Sequence, residues 1–261
     1  MKKFTKLTAF ALALVMALGL LAGCGSSNAD TNSDADTPDD TAKTKLVVAT
    51  SPDFPPFESL EGGEVVGIEV DILNKIAEKL GMELDIQQMD FDSVIPGVQA
   101  GKFDVGMSGI TITDKRKKNV DFSSVYFMAA QAIVVTADSG ITGKADLEGK
   151  KVSVQTGTTA EEYCMSSGYE VLAFTANNDA AAALTAGKVD AWVVDNEVAL
   201  AMAPELGLTV LDEAMTSEPY AFAFQKGSEL VASFNEALDA LLADGTIEQI
   251  FQQYGVTYIA P

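Results

Sequence analysis

Two stretches of this chain repeat the same order of strand-like and helix-like segments, and this repeat restricts the possible folds more than any other feature. In the first stretch, a helical pattern places Ile72, Ile76 and Leu80 on one face and ends at Gly81, a residue typical of helix C-termini. Short apolar strand patterns surround it at residues 46–49, 82–86 and 104–107. A second helix completes a βαβαβ unit. We expect Asp92 or Ser93 to cap it and the helix to stop at Gly101.

The same order begins again after a polar break at residues 136–149. Helical patterns start near Thr158 and cover residues 179–186. Strand patterns lie between and around them, at residues 151–155, 170–174 and 189–194. Strands that alternate with helices favour parallel pairing, because each helix provides the crossover to the next strand. The sequence therefore predicts an α/β protein with two modules, each built on a mainly parallel sheet.

The N-terminus has the pattern of a secretory signal. A basic start precedes an apolar run at residues 7–21, which is shorter than the roughly 20 residues that span a membrane. The run ends in Leu-Ala-Gly-Cys at residues 21–24, which resembles the bacterial lipobox. The resemblance implies a signal peptide at 1–23, cleavage before Cys24, and a lipid such as palmitate on this cysteine. Residues 24–44 are polar and small, so we expect a disordered tether after the lipidated cysteine.

Composition excludes several classes of function. The chain has 38 acidic and 17 basic residues and a formal net charge of −21, so nucleic acid is not an expected partner. There is no histidine, and the second of the two cysteines is Cys164. These counts argue against histidine-based catalysis, a Cys/His zinc site and a disulfide within the mature fold. We expect no metal and no cofactor, and we expect Cys164 to be a small apolar filler on a helix.

In parallel α/β sheets, ligands lie beyond the carboxyl ends of the strands, where loops lead into helices. The unusual residues of this sequence fall at those positions. A loop with two phenylalanines and three prolines follows the first strand, and a Gly- and Thr-rich turn opens a helix in the second module. The four candidate positions are residues 51–58, 108–118 and 156–160, and Asp195.

At these positions the chain resembles the polar amino-acid-binding family of extracellular solute-binding proteins, the receptors of ABC importers. The resemblance covers residues 46–254. Its markers are FPPFE at 54–58, GIEVDI at 67–72, MDFDSVIPGVQAGKFDV at 89–105, GITITDKRKKNVDFS at 109–123, QTGTTAEEY at 155–163, KVDAWVVD at 188–195, SEPYAFAF at 217–224 and ADGTIEQIFQQYG at 243–255.

The resemblance implies a two-lobed, type II periplasmic-binding-protein-like fold, with helices on each sheet and two crossover hinge strands near residues 127–131 and 218–221. Lobe 1 is expected at 45–128 and 220–261, and lobe 2 at 129–219. Closure about the hinge would bury the ligand, and the closed form would be recognised by membrane-embedded permease subunits. The protein would then work at the outer face of the cytoplasmic membrane, held there by its lipid.

The chemistry of an amino acid agrees with the residues that the family pattern selects. Arg116 offers a planar, permanently charged donor fork for the α-carboxylate, as the arginine of the family pattern does. Thr158 and Thr159 begin a helix, where unpaired N–H groups favour an anion, although both can also be ordinary caps. Asp195 matches the carboxylate that binds the α-ammonium group.

Further contacts are implied by the same pattern. Phe54 and Phe91 are expected to form apolar walls, and a backbone carbonyl of Ser108 or Gly109 and the hydroxyl of Thr111 to act as acceptors. With Ser51 and Gln155, these residues complete the predicted ligand-binding set. No catalytic residue is expected.

The identity of the ligand's side chain stays open at this point. Glutamine is the first expectation, because Ser51 and Gln155 offer uncharged donors and acceptors. Cystine and basic amino acids are alternatives, the latter if Glu58 or Glu161 turns inward. A different class of function is a secreted enzyme on the same scaffold that resembles cyclohexadienyl dehydratase. It would need an acid or base in the cleft, for which Glu58 and Glu218 are the candidates.

Overall fold

A computed structural model describes residues 45–261. The predicted signal peptide, the lipidation site at Cys24 and the tether lie outside the described residues. Within residues 45–261, no helix combines the length and the hydropathy that crossing a membrane requires.

Strands and helices alternate along the described chain in the predicted order. The strands are β1 (Lys45–Thr50), β2 (Asp53–Phe54), β3 (Glu58–Glu61), β4 (Glu64–Val66), β5 (Glu83–Gln88), β6 (Val105–Gly106), β7 (Val120–Phe122), β8 (Phe127–Ala129), β9 (Gln131–Val135), β10 (Lys151–Gln155), β11 (Glu170–Phe174), β12 (Ala191–Asp195), β13 (Thr209–Val210), β14 (Glu218–Tyr220) and β15 (Ala223–Gln225). The α-helices are α1 (Ile68–Leu80), α2 (Phe91–Gln99), α3 (Asp114–Lys117), α4 (Thr159–Ser166), α5 (Asn177–Thr185), α6 (Asn196–Met202), α7 (Leu230–Ala243) and α8 (Thr246–Gln253). Short 3-10 turns lie at Lys144–Leu147 and Pro204–Leu206.

Lobe 1 is the unit built on the sheet β5-β1-β6-β15-β7, in which β5, β1 and β6 are parallel and β15 runs antiparallel to both its neighbours. Leu46 and Val48 of β1 face the core shared with α1, while Ala49 faces the cluster that contains α2. Helix α1 ends at Gly81, whose φ of 67° allows the left-handed cap. The alternation of β1 thus places one helix on each face of the sheet.

Lobe 2 is the unit built on the sheet β11-β10-β12-β9-β13, in which the first three strands are parallel. Along β12, Trp192 enters one core cluster and Val193 the other, so both faces of the strand are covered. Cys164 of α4 is fully buried in the cluster with Val193, and burial raises the pKa of its thiol to about 12. The prediction that Cys164 is an apolar filler is confirmed.

The chain passes between the two sheets at β8 and β14, which pair with each other antiparallel, Glu218 opposite Ala129 and Tyr220 opposite Phe127. After β14 the chain returns to the first sheet through β15, and α7 and α8 then pack against α1. The predicted two-lobed α/β fold with two crossover strands is confirmed.

Two helices begin earlier than predicted. Helix α2 starts at Phe91, and its cap is Asp90, because the Ser93 N–H already donates to the Asp90 carbonyl at 2.9 Å in the first turn. Neither Asp92 nor Ser93 is therefore the cap. Helix α5 starts at Asn177, two residues before the predicted 179, since a carboxylate from lobe 1 binds its first N–H group.

Candidate ligand-binding cleft

The predicted ligand-binding residues, with the exception of Ser51, line one cleft between the lobes. The cleft contains about 360 Å³ of space outside the protein atoms, which includes its opening to solvent. Lobe 1 contributes Phe54, Phe91, Ser108, Gly109, Thr111 and Arg116, and lobe 2 contributes Gln155, Thr158, Thr159, Ala160, Asn177, Val193, Val194 and Asp195.

Arg116 projects into the cleft from the short helix α3, whose cap, Thr113 Oγ1, accepts a hydrogen bond from the Arg116 N–H at 3.1 Å. Its guanidinium donates through Nη1 to the Thr111 carbonyl at 2.9 Å and through Nη2 to the Gly157 carbonyl at 3.1 Å. The guanidinium also lies 5.5 Å from the centre of the Phe91 ring. Burial lowers the pKa of Arg116. A guanidinium has five N–H donors, so this side chain is held in place and still has donors for an anion.

The N-terminus of α4 lies at the same cleft. Thr158 caps the helix: its Oγ1 accepts from the Glu161 N–H at 3.2 Å and donates to the Gln155 carbonyl at 2.7 Å. Thr159 Oγ1 accepts from Nε2 of Gln131 at 3.0 Å. The Thr158 hydroxyl is therefore used by the helix cap, and the N–H groups of the first turn are the donors that remain for an anion.

Asp195 ends β12 and precedes α6, with 8% of its surface exposed. The Tyr220 hydroxyl of the hinge strand β14 donates a short hydrogen bond to its Oδ2. Burial, and then the charge of Glu218, raise the pKa of Asp195 to about 7, although Tyr220 and Arg116 act in the opposite direction. A cation beside this carboxylate would favour its ionised form, so the position suits an ammonium group.

The aromatic residues form walls of the cleft. Phe54 and Phe91 are each 9% exposed, and the Phe54 ring also packs at 5.8 Å from the ring of Phe57 in the core. Gly109 approaches Phe54 so closely that a Cβ at this position would lie 2.5 Å from its ring, and the φ of Gly109 is +52°. Only glycine therefore allows this loop to pass under the wall.

Two buried glutamates support the loop from behind and do not line the cleft. Glu58 Oε1 accepts from the Ser108 hydroxyl at 2.8 Å, while Glu69 accepts from the Gly109 N–H at 2.9 Å and from the Tyr126 hydroxyl at 2.5 Å. Burial, and then the charge of Glu69, raise the pKa of Glu58 well above its ordinary value. Through its contact with Ser108, the Glu58 side chain is engaged with the protein rather than turned toward a ligand.

Ser51 lies beside the cleft without lining it. Its N–H donates to the Ser108 hydroxyl at 3.2 Å, and its own hydroxyl donates to Asp53 Oδ1 at 3.1 Å. Asp53 in turn accepts from Nε2 of Gln155 at 3.4 Å and from the Asn177 N–H at 2.6 Å. Ser51 is thus withdrawn into a network that joins the lobes. Sequence reasoning missed Asp53 and Asn177 as parts of this network.

The two lobes are in contact on both sides of the cleft. Lys115 forms an ion pair with Glu162 of α4, and Arg116 donates to Gly157, while Asp53 binds the start of α5 from the other side. Glu161 accepts from the Gly157 N–H at 2.7 Å and does not line the cleft. These contacts describe a closed arrangement in which groups of both lobes surround one small volume.

The chain matches the model of the bacterial extracellular solute-binding proteins, family 3, over residues 46–257. It belongs to this family. It is 35% identical to the arginine-binding extracellular protein of Bacillus subtilis (strain 168), with 90% of this chain and 92% of that protein covered. It is 33% identical to the ABC transporter glutamine-binding protein of the same organism, with 95% and 97% covered. A solved structure of an ancestral arginine-binding protein bound to glutamine superposes with a TM-score of 0.77 at 42% identity, covering 81% of this chain and 98% of that one.

The comparisons confirm the predicted family and the predicted fold. Membership of an extracellular family places this solute-binding protein outside the cytoplasm. The relatives are named as binding proteins and not as enzymes, in agreement with the prediction that the chain is not an enzyme.

Proposed function

We propose that this protein binds a free polar L-amino acid between its two lobes and delivers it to an ABC importer. One observation carries the proposal: Arg116 of lobe 1 and Asp195 of lobe 2, which have opposite charges, line the same cleft. An amino acid is the simplest ligand with a carboxylate and an ammonium group on one carbon. The names of relatives that bind arginine or glutamine support the same class of ligand.

In this proposal the α-carboxylate binds the guanidinium of Arg116 and the free N–H groups at the start of α4. The α-ammonium group binds the carboxylate of Asp195, with the Thr111 hydroxyl and the carbonyl of Ser108 or Gly109 as further acceptors. Charge-assisted bonds of this kind are about twice as strong as neutral ones. Phe54 and Phe91 hold the aliphatic part of the side chain.

The charged partner of the α-carboxylate, Arg116, belongs to lobe 1, and the charged partner of the α-ammonium group, Asp195, belongs to lobe 2. Binding of the ligand therefore favours closure of the hinge. A ligand that contacts both lobes has a higher affinity for the closed state, and this difference shifts the equilibrium toward closure. The permease subunits would recognise the closed form. The contacts of Asp53 with α5 and of Lys115 with Glu162 support the proposal, since they join the lobes across the cleft.

An enzymatic function on this scaffold has less support. Glu58 and Glu218, the acids considered for such a role, do not line the cleft. The Glu58 side chain is bound to Ser108 behind the loop, and Glu218 lies in the hinge strand β14 with 3% of its surface exposed.

The lipid anchor is part of the proposal and rests on residues 21–24 of the sequence. Cys24→Ser should leave the fold intact and release the protein from membranes, because the lipid on Cys24 is the proposed anchor in the bilayer. Membrane fractionation with detection of the lipid checks this. A variant that still fractionates with membranes and still carries lipid would exclude the lipobox interpretation.

A thermal-shift screen of the purified protein against the twenty amino acids tests the proposed ligand class. A specific ligand at 100 times its dissociation constant should stabilise the protein by about 2.7 kcal/mol. We expect one polar amino acid, or a small group of them, to raise the melting temperature. A screen in which no amino acid raises it would contradict the proposal.

A further inference from the structure

Amide side chains line the cleft where β10 ends and where α5 begins after β11, on the β11 side of the strand that carries Asp195. Asn177 is the first residue of α5, is 1% exposed, and lines the cleft together with Gln155. Its Nδ2 donates to Oε1 of Gln155 at 3.1 Å. This contact fixes the orientation of the Asn177 carboxamide, with one Nδ2 hydrogen directed at Gln155.

The amide of Gln155 is almost fully used by the protein. Its Nε2 donates to the Thr175 carbonyl at 3.1 Å and to the Asp53 carboxylate at 3.4 Å, and its Oε1 accepts from Asn177. By contrast, the second Nδ2 hydrogen and Oδ1 of Asn177 have no hydrogen-bond partner among residues 45–261. Asn177 therefore offers one free donor and one free acceptor to whatever occupies this end of the cleft.

Asp53 positions this group from the opposite lobe. Its Oδ2 accepts from the Asn177 N–H at 2.6 Å and so caps α5, whose own cap residue, Ala176, has no side-chain acceptor. Since Asp53 belongs to lobe 1, this contact joins the start of α5 to the opposite lobe.

We propose that Asn177 is the residue that recognises the end of the ligand's side chain, and that it selects a neutral carboxamide. The inference rests on the proposed function and makes it more specific. A ligand carboxamide brings one acceptor and one donor, which match the free donor and the free acceptor of Asn177. A ligand carboxylate would meet Oδ1 of Asn177 and the negative charge of Asp53, a ligand cation could pair with Oδ1 but would leave the free Nδ2 hydrogen without an acceptor, and an apolar end would leave both groups unpaired.

Calorimetric titration of the full chain with four amino acids tests the proposal. The ligands are L-glutamine, L-glutamate, L-arginine and L-norvaline, which share the α-groups and differ at the end of the side chain. The wild-type protein should bind L-glutamine most tightly. Asn177→Leu should weaken L-glutamine binding by roughly 5- to 150-fold, the range for a buried hydrogen-bonding group left without its partner, and should not weaken L-norvaline binding.

Asn177→Asp is a nearly isosteric substitution, and it provides the same test if the leucine variant does not fold. This substitution should make the affinity for L-arginine higher than the affinity for L-glutamine, because the carboxylate that replaces the carboxamide has two hydrogen-bond acceptors and no donor. Asn178→Asp is the matched control: the same charge is added one residue away on an exposed side chain, and the order of the four ligands should stay that of the wild type.

An unchanged ratio of L-glutamine to L-norvaline affinity in Asn177→Leu, or a wild-type protein that prefers L-arginine or L-glutamate, overturns the inference and leaves the proposed function standing. A wild-type protein that binds none of the amino acids overturns both.

Discussion

The two ends of the cleft recognise a ligand by different means. At one end, the charges of Arg116 and Asp195 face the cleft with donors and acceptors still free. At the other end, Gln155 and Asn177 are neutral, and the Asp53 carboxylate accepts hydrogen bonds from both of them across the lobes. Every amino acid has the same α-groups and differs in its side chain. The charged end therefore contributes affinity that all amino acids share, and the neutral end distinguishes among them.

The largest expected effect is at the charged end. Arg116→Ala and Asp195→Ala each leave one charge of a buried ligand without its partner, which costs about 2–5 kcal/mol. This corresponds to a loss of affinity of roughly 30- to several-thousand-fold for every amino acid that the wild-type protein binds. Calorimetric titration measures this loss.

Lys117→Ala is the matched control for Arg116→Ala, because Lys117 is an exposed cation on the same short helix, and it should bind with wild-type affinity. The melting temperatures of the unliganded variants show whether the fold is retained. Near wild-type affinity in either charge variant would mean that the charged end has been assigned to the wrong residues.

The charged end could be predicted from the sequence, and the neutral end could not. Asp195 follows a strongly apolar strand, and Arg116 falls within a motif of the family, so the resemblance to the family selects both as candidates. Asn177 is the first residue of α5, but the sequence pattern predicts that this helix begins at residue 179. The pattern misses the true start because the group that caps the helix is Asp53, more than a hundred positions away in the chain. A contact between lobes leaves no signal in local periodicity.

The direction in which a buried carboxylate faces is also not predicted by the local sequence. The sequence allows Glu58 to face either the ligand or the protein, and only the packing of Glu69 and Ser108 decides that it faces the protein. The overall architecture is predicted more fully than these side chains are. Helix α1 is marked by the period of its one buried face, and β1 and β12 by short apolar runs that are buried on both faces, and sequence records both patterns directly.

The contribution of the charged end to the affinity should depend on pH, and that of the neutral end should not. Before a ligand binds, Asp195 has a pKa of about 7, and a bound ammonium group lowers that pKa, so ligand binding releases a proton. Affinity should therefore be highest above pH 7 and fall by about tenfold per pH unit below it, until the pKa of the complex is reached.

Titrations between pH 5 and 8, in buffers of different ionisation enthalpy, measure both the affinity and the released proton. The ratio of L-glutamine to L-norvaline affinity should stay constant over this range, since it depends on the neutral end. An affinity that does not change with pH would show that Asp195 is not the ammonium partner.

The smallest effect is expected from Thr158→Ala. The Thr158 hydroxyl caps α4, while the N–H groups proposed to bind the α-carboxylate belong to the backbone and survive the substitution. Loss of such a cap costs about 0.5–2 kcal/mol of stability, so the melting temperature should fall while the affinity changes by less than in Arg116→Ala. A loss of affinity as large as that of Arg116→Ala would assign the hydroxyl a direct contact with the ligand.

In the proposed function, the charged partner of the α-carboxylate is Arg116 of lobe 1, and the charged partner of the α-ammonium group is Asp195 of lobe 2. The most direct measurement compares the best ligand with two analogues, one that lacks the α-carboxylate and one that lacks the α-ammonium group, by calorimetric titration of the wild-type protein, Arg116→Ala and Asp195→Ala. Such a cycle isolates each pairwise interaction. We expect both analogues to bind the wild-type protein far more weakly than the full ligand. Loss of the α-carboxylate should matter little in Arg116→Ala, and loss of the α-ammonium group should matter little in Asp195→Ala. Equal penalties for each analogue in the wild-type and substituted proteins would contradict the claim.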